Sequence, residues 1–391
     1  MHTKIKEIGE LLQKWDITNI GLLTGIGSII ITLSEYAKQG LDNTNCYLDK
    51  LMILESNLAE TQSIYSYCNG LAGIGWLYEY LNEQNVINCN TNVLLEDFDV
   101  LSNRILDIYM QNKDYDFLHG GSGIAFYFMR RIKRNPDLKS VLCQFLMDLD
   151  NMKIILPNGT ITWRSKLYDL QGKVKNVSNI SLSHGICAIV CLLSKLWTIS
   201  KDKTQIKTLL VKTIDYILEQ QIDNEKYHSF FPILPIESCE MLTISRLAWC
   251  YGDLGIATTL YQAGKTLNRQ DWIDKAMEIL LYAAEKRRDL QKNGVVDAGL
   301  CHGTAGIGHI FYRMWWNTRF PEFKRAADYW FEQTLKMARF EDGLAGYKAW
   351  HGTQGWQNEY GLLEGIAGIG LALLTYYYEV EPTWDECLLL S

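Results

Sequence analysis

The chain has 391 residues, 48% hydrophobic and 21% charged, with a net charge of −7. That size allows a large core in one to three domains, and the acidic balance excludes nucleic acid and anionic lipid as general partners. No window is long and apolar enough for a membrane span, and the opening residues lack the apolar run of a signal peptide, so the ten cysteines are expected as reduced thiols in the cytoplasm.

Along the chain, seven short Gly-bearing segments recur. They read "LLTGIGSII" (22–30), "CNGLAGIGW" (68–76), "LHGGSGIAF" (118–126), "SHGICAIVC" (183–191), "CYGDLGIAT" (250–258), "CHGTAGIGH" (301–309) and "LEGIAGIGL" (363–371). Five contain G-x-x-G, while the first departs from it with Leu22 for the leading Gly and the fourth with Ala188 for the trailing one. Each segment opens an apolar run at helical spacing, such as Ile74, Trp76, Leu77 and Leu81. Between the segments lie amphipathic stretches such as "FDVLSNRILDIYMQ" (98–111) and "WIDKAMEILLYAAEKRRD" (272–289). One repeat is therefore a helix pair whose Gly-rich turn leads into the second helix. Glycine permits positive φ in such a turn and lets neighbouring backbones approach closely at the helix start. Open stacks need polar end caps, yet the last copy, "LEGIAGIGLALLTYYY" (363–378), is as apolar as the middle ones. Closure follows: an all-α, α/α toroid of about seven inner and seven outer helices, forming one domain over 1–391.

Two intervals break the pattern. "KIILPNGTITWRS" (153–165) alternates apolar residues around Pro157, Asn158 and Gly159 and reads as a β-hairpin on the rim, with a peptide-binding role open to it. "HSFFPILPIESCEM" (228–241) reads as a loop over one face.

In a set of equivalent turns, function resides where the copies differ. The residue before the leading Gly is Asn69, His119, His184, Tyr251, His302 and Glu364 in copies two to seven. One position earlier, adjacent copies carry Cys250 and Cys301. Two thiols and an imidazole, Cys250, Cys301 and His302, suit a tetrahedral Zn2+ with a fourth position open. Cys68 has the same place in a distant copy and reads as core, like Cys143 and Cys191 within apolar helical runs. Zinc with two thiolates serves best to deprotonate another thiol, so a thiol substrate is expected. His184, Asp116 and His119 are the proton-transfer candidates around it. Arg246, one helical turn before Cys250, would steady an oxyanion or enolate. A packed core histidine is the competing role for His184, and a helix cap for Asp116. His309 reads as packed inside the sixth Gly-led helix, His351 as a rim residue, and His228 carries less weight.

The segments "RLAWCYGDLGIA" (246–257), "LCHGTAGIG" (300–308), "SLSHG" (181–185) and "LLEGIAGIGLALL" (362–374) resemble the signatures of the LanC-type lanthionine synthetases, the lanthipeptide cyclases. The resemblance runs through essentially the whole chain. It implies two concentric rings of seven helices, with Zn2+ held by Cys250, Cys301 and His302. The metal would activate cysteine thiols of a precursor peptide for addition to dehydroalanine or dehydrobutyrine. It also implies His184 as acid/base, Arg246 as its support, and an active-site Asp before the third Gly turn. Spacing to Gly120 favours Asp116, with Asp114 the alternative. A dehydrated precursor peptide is the implied partner, together with a dehydratase and transporter complex that would hold the protein at the membrane periphery. Two features depart from the family pattern. The fourth turn has Cys187 and Ala188 where small residues or Gly are usual, and 133–180 is too short for the larger α/β insertion of some members. Two other activities would use the same metal site: addition of glutathione or another small thiol to dehydrated proteins, and non-catalytic peptide recognition on a zinc scaffold. A toroidal glycosidase would need a carboxylate pair facing the cavity and leaves the Cys/Cys/His set unexplained.

Overall fold

The structure, a computed structural model, describes residues 1–15, 19–41, 45–60, 64–168, 174–201, 203–238 and 244–391. The longer helices are α1 (His2–Lys14), α2 (Ile26–Lys38), α3 (Cys46–Glu60), α4 (Leu71–Glu83), α5 (Glu96–Gln111), α6 (Gly121–Arg131) and α7 (Lys139–Met152). They continue with α8 (Ile186–Ile199), α9 (Lys203–Glu219), α10 (Asp253–Leu267), α11 (Gln270–Lys286), α12 (Thr304–Thr318), α13 (Pro321–Lys336) and α14 (Ile366–Tyr377). Even-numbered helices are the Gly-led ones, and odd-numbered helices are the amphipathic stretches between them. Their burial differs accordingly. Helix α1 buries one stripe, Ile5, Ile8, Gly9 and Leu12, whereas α2 is buried at every position from Ile26 to Tyr36. A helix apolar all round belongs inside the packing, and an amphipathic one covers it.

Each Gly-led helix has a glycine at its N-cap: Gly25, Gly70, Gly120, Gly185, Gly252, Gly303 and Gly365. This corrects the alignment of the first copy, where Gly25 is the leading glycine and Ser28, not Gly, follows at the trailing position. It also sorts the two expected uses of glycine. Among the seven caps, Gly252 alone has a positive φ, +89°. The general requirement is room. A Cβ on Gly70, Gly185 or Gly252 would lie 2.1 to 2.2 Å from the carbonyl oxygen of Ile64, Asn179 or Arg246, six residues back. A Cβ on the trailing Gly306 would stand 1.9 Å from the Leu300 oxygen.

By contacts, the chain forms two compact units: residues 1–100 with 295–387, and residues 101–294 with 388–391. In the first, α14 packs on α1, α2 and α12, while α2 packs on α3 and α4. Backbone hydrogen bonds tie the turns together. The N–H groups of Leu362 and Leu363 both donate to the Leu23 carbonyl (2.8 and 3.2 Å), Leu23 donates to Cys68 (3.0 Å), and Cys301 donates to Leu363 (2.7 Å). The last turn thus bonds to the first, which is the closing contact expected of an uncapped stack.

In the second unit, α8 packs against α6, α9 and α10, and α10 packs on α11. The expected hairpin is present: β1 (Ile154–Ile155) pairs antiparallel with β2 (Ile161–Thr162), turning at Gly159 with φ +82°. A second antiparallel ribbon that the sequence pattern did not reveal follows directly, β3 (Ser165–Tyr168) with β4 (Val174–Val177). In the first unit a short pair, β5 (Ala349–Trp350) and β6 (Trp356–Gln357), flanks a turn. The expected loop over 228–241 is described as far as residue 238, with its last three positions outside the described residues. Its start is pinned: the N–H groups of Phe230 and Phe231 donate to the Asp253 carboxylate (3.0 to 3.1 Å). Arg287 pairs with the same carboxylate at 2.8 Å, with side-chain exposures of 1% and 0%.

Candidate functional site

The residues expected to carry chemistry lie on the loops that precede the Gly-led helices, and those loops share a construction. Six positions before the leading Gly, Asn19, Asp114, Asn179 and Asp297 each accept, through Oδ1, the N–H two residues on: Gly21 (3.0 Å), Asp116 (3.3 Å), Ser181 (2.9 Å) and Gly299 (3.1 Å). This is the Asx turn, a side chain standing in for a backbone acceptor. In the fifth copy the same position is Arg246. Residues 244–252 are not helical and α10 begins at Asp253, so Arg246 does not lie one helical turn before Cys250. It sits half-buried in irregular chain, where an interval of four residues only imitates a helical turn.

In the third copy, Asp116 does two jobs. Its Oδ1 accepts the His119 N–H (2.8 Å), which shapes the turn, and its Oδ2 lies 2.7 Å from His184 Nδ1. The cap contact and the contact with His184 therefore coexist. Asp114 is the turn former, through Oδ1 to the Asp116 N–H. His184 is held from its own loop as well, its N–H donating to Ser181 Oγ (3.1 Å). The His119 and Tyr251 rings flank it at centroid distances of 6.1 and 6.3 Å. Asn179 donates to the Tyr251 hydroxyl (3.3 Å). These groups line a cavity of about 830 Å3 together with Trp163 and Arg164, beside the ribbons.

The electrostatics sort the two imidazoles. Burial acts to lower the His184 pKa, but the hydrogen bond and charge of Asp116 outweigh it, so the pKa stands above the ordinary 6.5. Burial likewise opposes ionisation of Asp116, yet its pKa falls below 3.8 because His184 and the His119 N–H stabilise the carboxylate. His119 shifts the other way. Burial and the charge of His184 hold it below 6.5 against the pull of Asp116.

Cys250, Cys301 and His302 form the group, among the described residues, whose possible metal-ligand atoms all lie within 4.8 Å of one another. Cys250 is buried, and Cys301 and His302 are half-buried. Two sulfurs and a nitrogen at such separations fit a tetrahedral zinc in both donor type and number, with one position left for a further ligand. The expectation for His309 holds: it is buried, with Nε2 2.9 Å from Asp385. His351 lies by Glu359 and Glu364 (3.3 and 3.4 Å), and His228 ends a short helical turn with φ +53°. Cys68 is buried. One residue that the sequence reading passed over is Asp297, 3.7 Å from His302 Nε2. The signal for it was available in the recurrence of Asn or Asp six positions before the leading Gly.

The model of the family described as lanthionine synthetase C-like protein matches residues 16–389. The chain belongs to the lanthionine synthetase C-like family. The nisin biosynthesis protein NisC of Lactococcus lactis subsp. lactis is 25% identical to this family member over 97% of this chain and 90% of its own. Among solved structures, nisin cyclase superposes with a TM-score of 0.77 at 22% identity, covering 98% of this chain and 96% of the other. The LanC-like chain therefore has the nisin cyclase fold, and the expected α/α toroid class stands.

Proposed function

We propose that the protein is a zinc-dependent cyclase that closes thioether rings in a dehydrated precursor peptide, adding cysteine thiols across dehydroalanine or dehydrobutyrine. The observation that carries this reading is the convergence of Cys250, Cys301 and His302. Family membership and the relatives named for nisin biosynthesis and cyclisation support it. Bound to these three residues, zinc would lower the pKa of a substrate thiol so that it ionises near neutral pH.

The chain's own groups supply the rest. His184 has Nδ1 engaged by Asp116, so Nε2 is the nitrogen turned to substrate. As the substrate sulfur bonds to the β-carbon, the π electrons of the dehydro residue move towards the α-carbon and its carbonyl. Neutral His184 or water takes the thiol proton, and the imidazolium, favoured by Asp116, delivers a proton from Nε2 to the α-carbon. Arg246 is assigned to the enolate oxygen, and Asp116 keeps the imidazole oriented. No helix among the described residues is long and apolar enough to cross a membrane. We place the protein in the cytoplasm, receiving its peptide from a dehydratase and passing it to a transporter.

The test is incubation of zinc-replete protein with a dehydrated, cysteine-containing precursor, followed by thiol alkylation and mass spectrometry. Each ring closed removes one alkylatable thiol without changing the unlabelled mass. An unchanged thiol count refutes the cyclase reading.

A further inference from the structure

Asp297 does more than its turn requires. In the first and fourth copies the same Asx turn is built by Asn19 and Asn179, so a neutral amide is sufficient for that task. Copy six uses a carboxylate that is 3% exposed. Its two oxygens are fixed by backbone from separate segments: Oδ1 accepts the Gly299 N–H (3.1 Å), and Oδ2 accepts the Trp350 N–H of β5 (3.0 Å). Gly303 closes in behind, where an added Cβ would stand 2.6 Å from Oδ1. The carboxylate therefore cannot turn away. A buried negative charge calls for a positive or proton-donating partner. Among the described residues, the side chain that pairs with Asp297 is His302, whose Nε2 lies 3.7 Å from Oδ2.

We propose that Asp297 is the positioning residue for His302, holding the imidazole by Nε2 so that Nδ1 is the nitrogen presented to the metal. The arrangement is a carboxylate–histidine pair of the kind that fixes the tautomer and orientation of a metal-ligating imidazole and raises its basicity. It rests on the zinc reading above. The adjacent Cys301 is tethered independently, its N–H donating to the Leu363 carbonyl (2.7 Å), so the two neighbouring ligands are oriented by different parts of the unit.

The experiment is zinc affinity measured by competition with a chromophoric chelator, on the native protein and on Asp297→Asn, which retains the side-chain acceptor that Asn19 and Asn179 use. Binding should weaken 10- to 100-fold, roughly the range for loss of such an outer partner. Metal-free melting of the variant, recorded alongside, identifies a merely structural role, which would lower the melting temperature and leave affinity within twofold of native. That result would overturn the inference. A native protein that binds no zinc would bring down the zinc reading and this inference together, and is recognised before any variant is made. Independently of folding of the variant, 15N-histidine NMR of the native zinc form should show His302 ligating through Nδ1 with Nε2 protonated. Ligation through Nε2 would overturn it.

Discussion

Substituting Asp253 by Asn should cost about 3 to 5 kcal/mol of stability, the usual penalty for stranding one member of a buried ion pair. The structure places this change at the upper part of that range. Arg287 is 1% exposed, so its guanidinium has no water to turn to once the carboxylate charge is gone. The asparagine retains one oxygen for the Phe230 and Phe231 N–H groups and sets an amide NH2 against one of the donors that Asp253 now satisfies. Arg287 also donates to the Ser245 carbonyl and to Asn293 Oδ1 (2.8 Å), so the loss reaches the segment that leads to Arg246 and Cys250. Against a typical total of about 5 to 15 kcal/mol, this removes a large share. Urea unfolding followed by far-ultraviolet circular dichroism reads it as a lower midpoint at similar slope. The companion Asp253→Leu/Arg287→Met protein should recover much of the loss, because removing both charges also removes the desolvation cost. A loss under about 1 kcal/mol for Asp253→Asn, or a double variant less stable than the single, would refute this account of the buried pair.

Other outcomes follow from the same geometry. In Asp116→Asn the His184 pKa should fall below its native value, since the group that raises it is gone; NMR titration of the imidazole reads that shift, and the alkaline limb of the pH–rate profile of the proposed reaction should move to lower pH with it. An unmoved titration would dissociate the pair from proton transfer. The Asp116–His184 pair should contribute most to stability between about pH 4 and 6.5. Above that window His184 loses its proton on passing its raised folded pKa, and below it Asp116 gains one on passing its lowered folded pKa. The difference in urea midpoint between native and Asp116→Asn, followed across pH, should peak in that window. Gly306→Ala should cost about 1 to 3 kcal/mol, because its Cβ would meet the Leu300 carbonyl at 1.9 Å, and differential scanning calorimetry should show the lower melting temperature. Cys301→Ala should lower bound zinc by plasma mass spectrometry, and full retention would remove Cys301 from the ligand set.

Much of the fold was legible because the Gly-led helices are apolar all round and recur. The pairing of α2, α4 and their equivalents with amphipathic partners needed only periodicity. The first copy was misaligned by three residues because "GIGS" places two glycines where the frame tolerates either, and only the cap at Gly25 decides between them. The ribbon of β3 and β4 escaped notice because a two-stranded ribbon need not bury a face, and "SKLYDLQGKVKNV" (165–177) shows little apolar alternation. At the site, Cys301 and His302 stood out as adjacent donors, and their copy-to-copy alignment with Cys250 was readable. Asp297 could be read from sequence only as a turn former, through the recurrence of Asn or Asp six positions before the leading Gly; its burial and its second backbone contact appear only in the structure. For the active-site Asp, spacing to Gly120 favoured Asp116 over Asp114; side-chain direction, which the sequence does not carry, sets Asp116 Oδ2 2.7 Å from His184 Nδ1.

The bonds from Leu362 and Leu363 to Leu23 have a consequence for synthesis on the ribosome. Helix α2 leaves the exit tunnel early, yet Thr32 Oγ1 contacts the Ala367 carbonyl, 335 positions later, and α1 waits for the same final helix. A nascent chain therefore carries an apolar, half-covered α2 until α14 has been made. Completion of the first unit waits for α14, and until then α1 and α2 are where a chaperone would find exposed apolar surface.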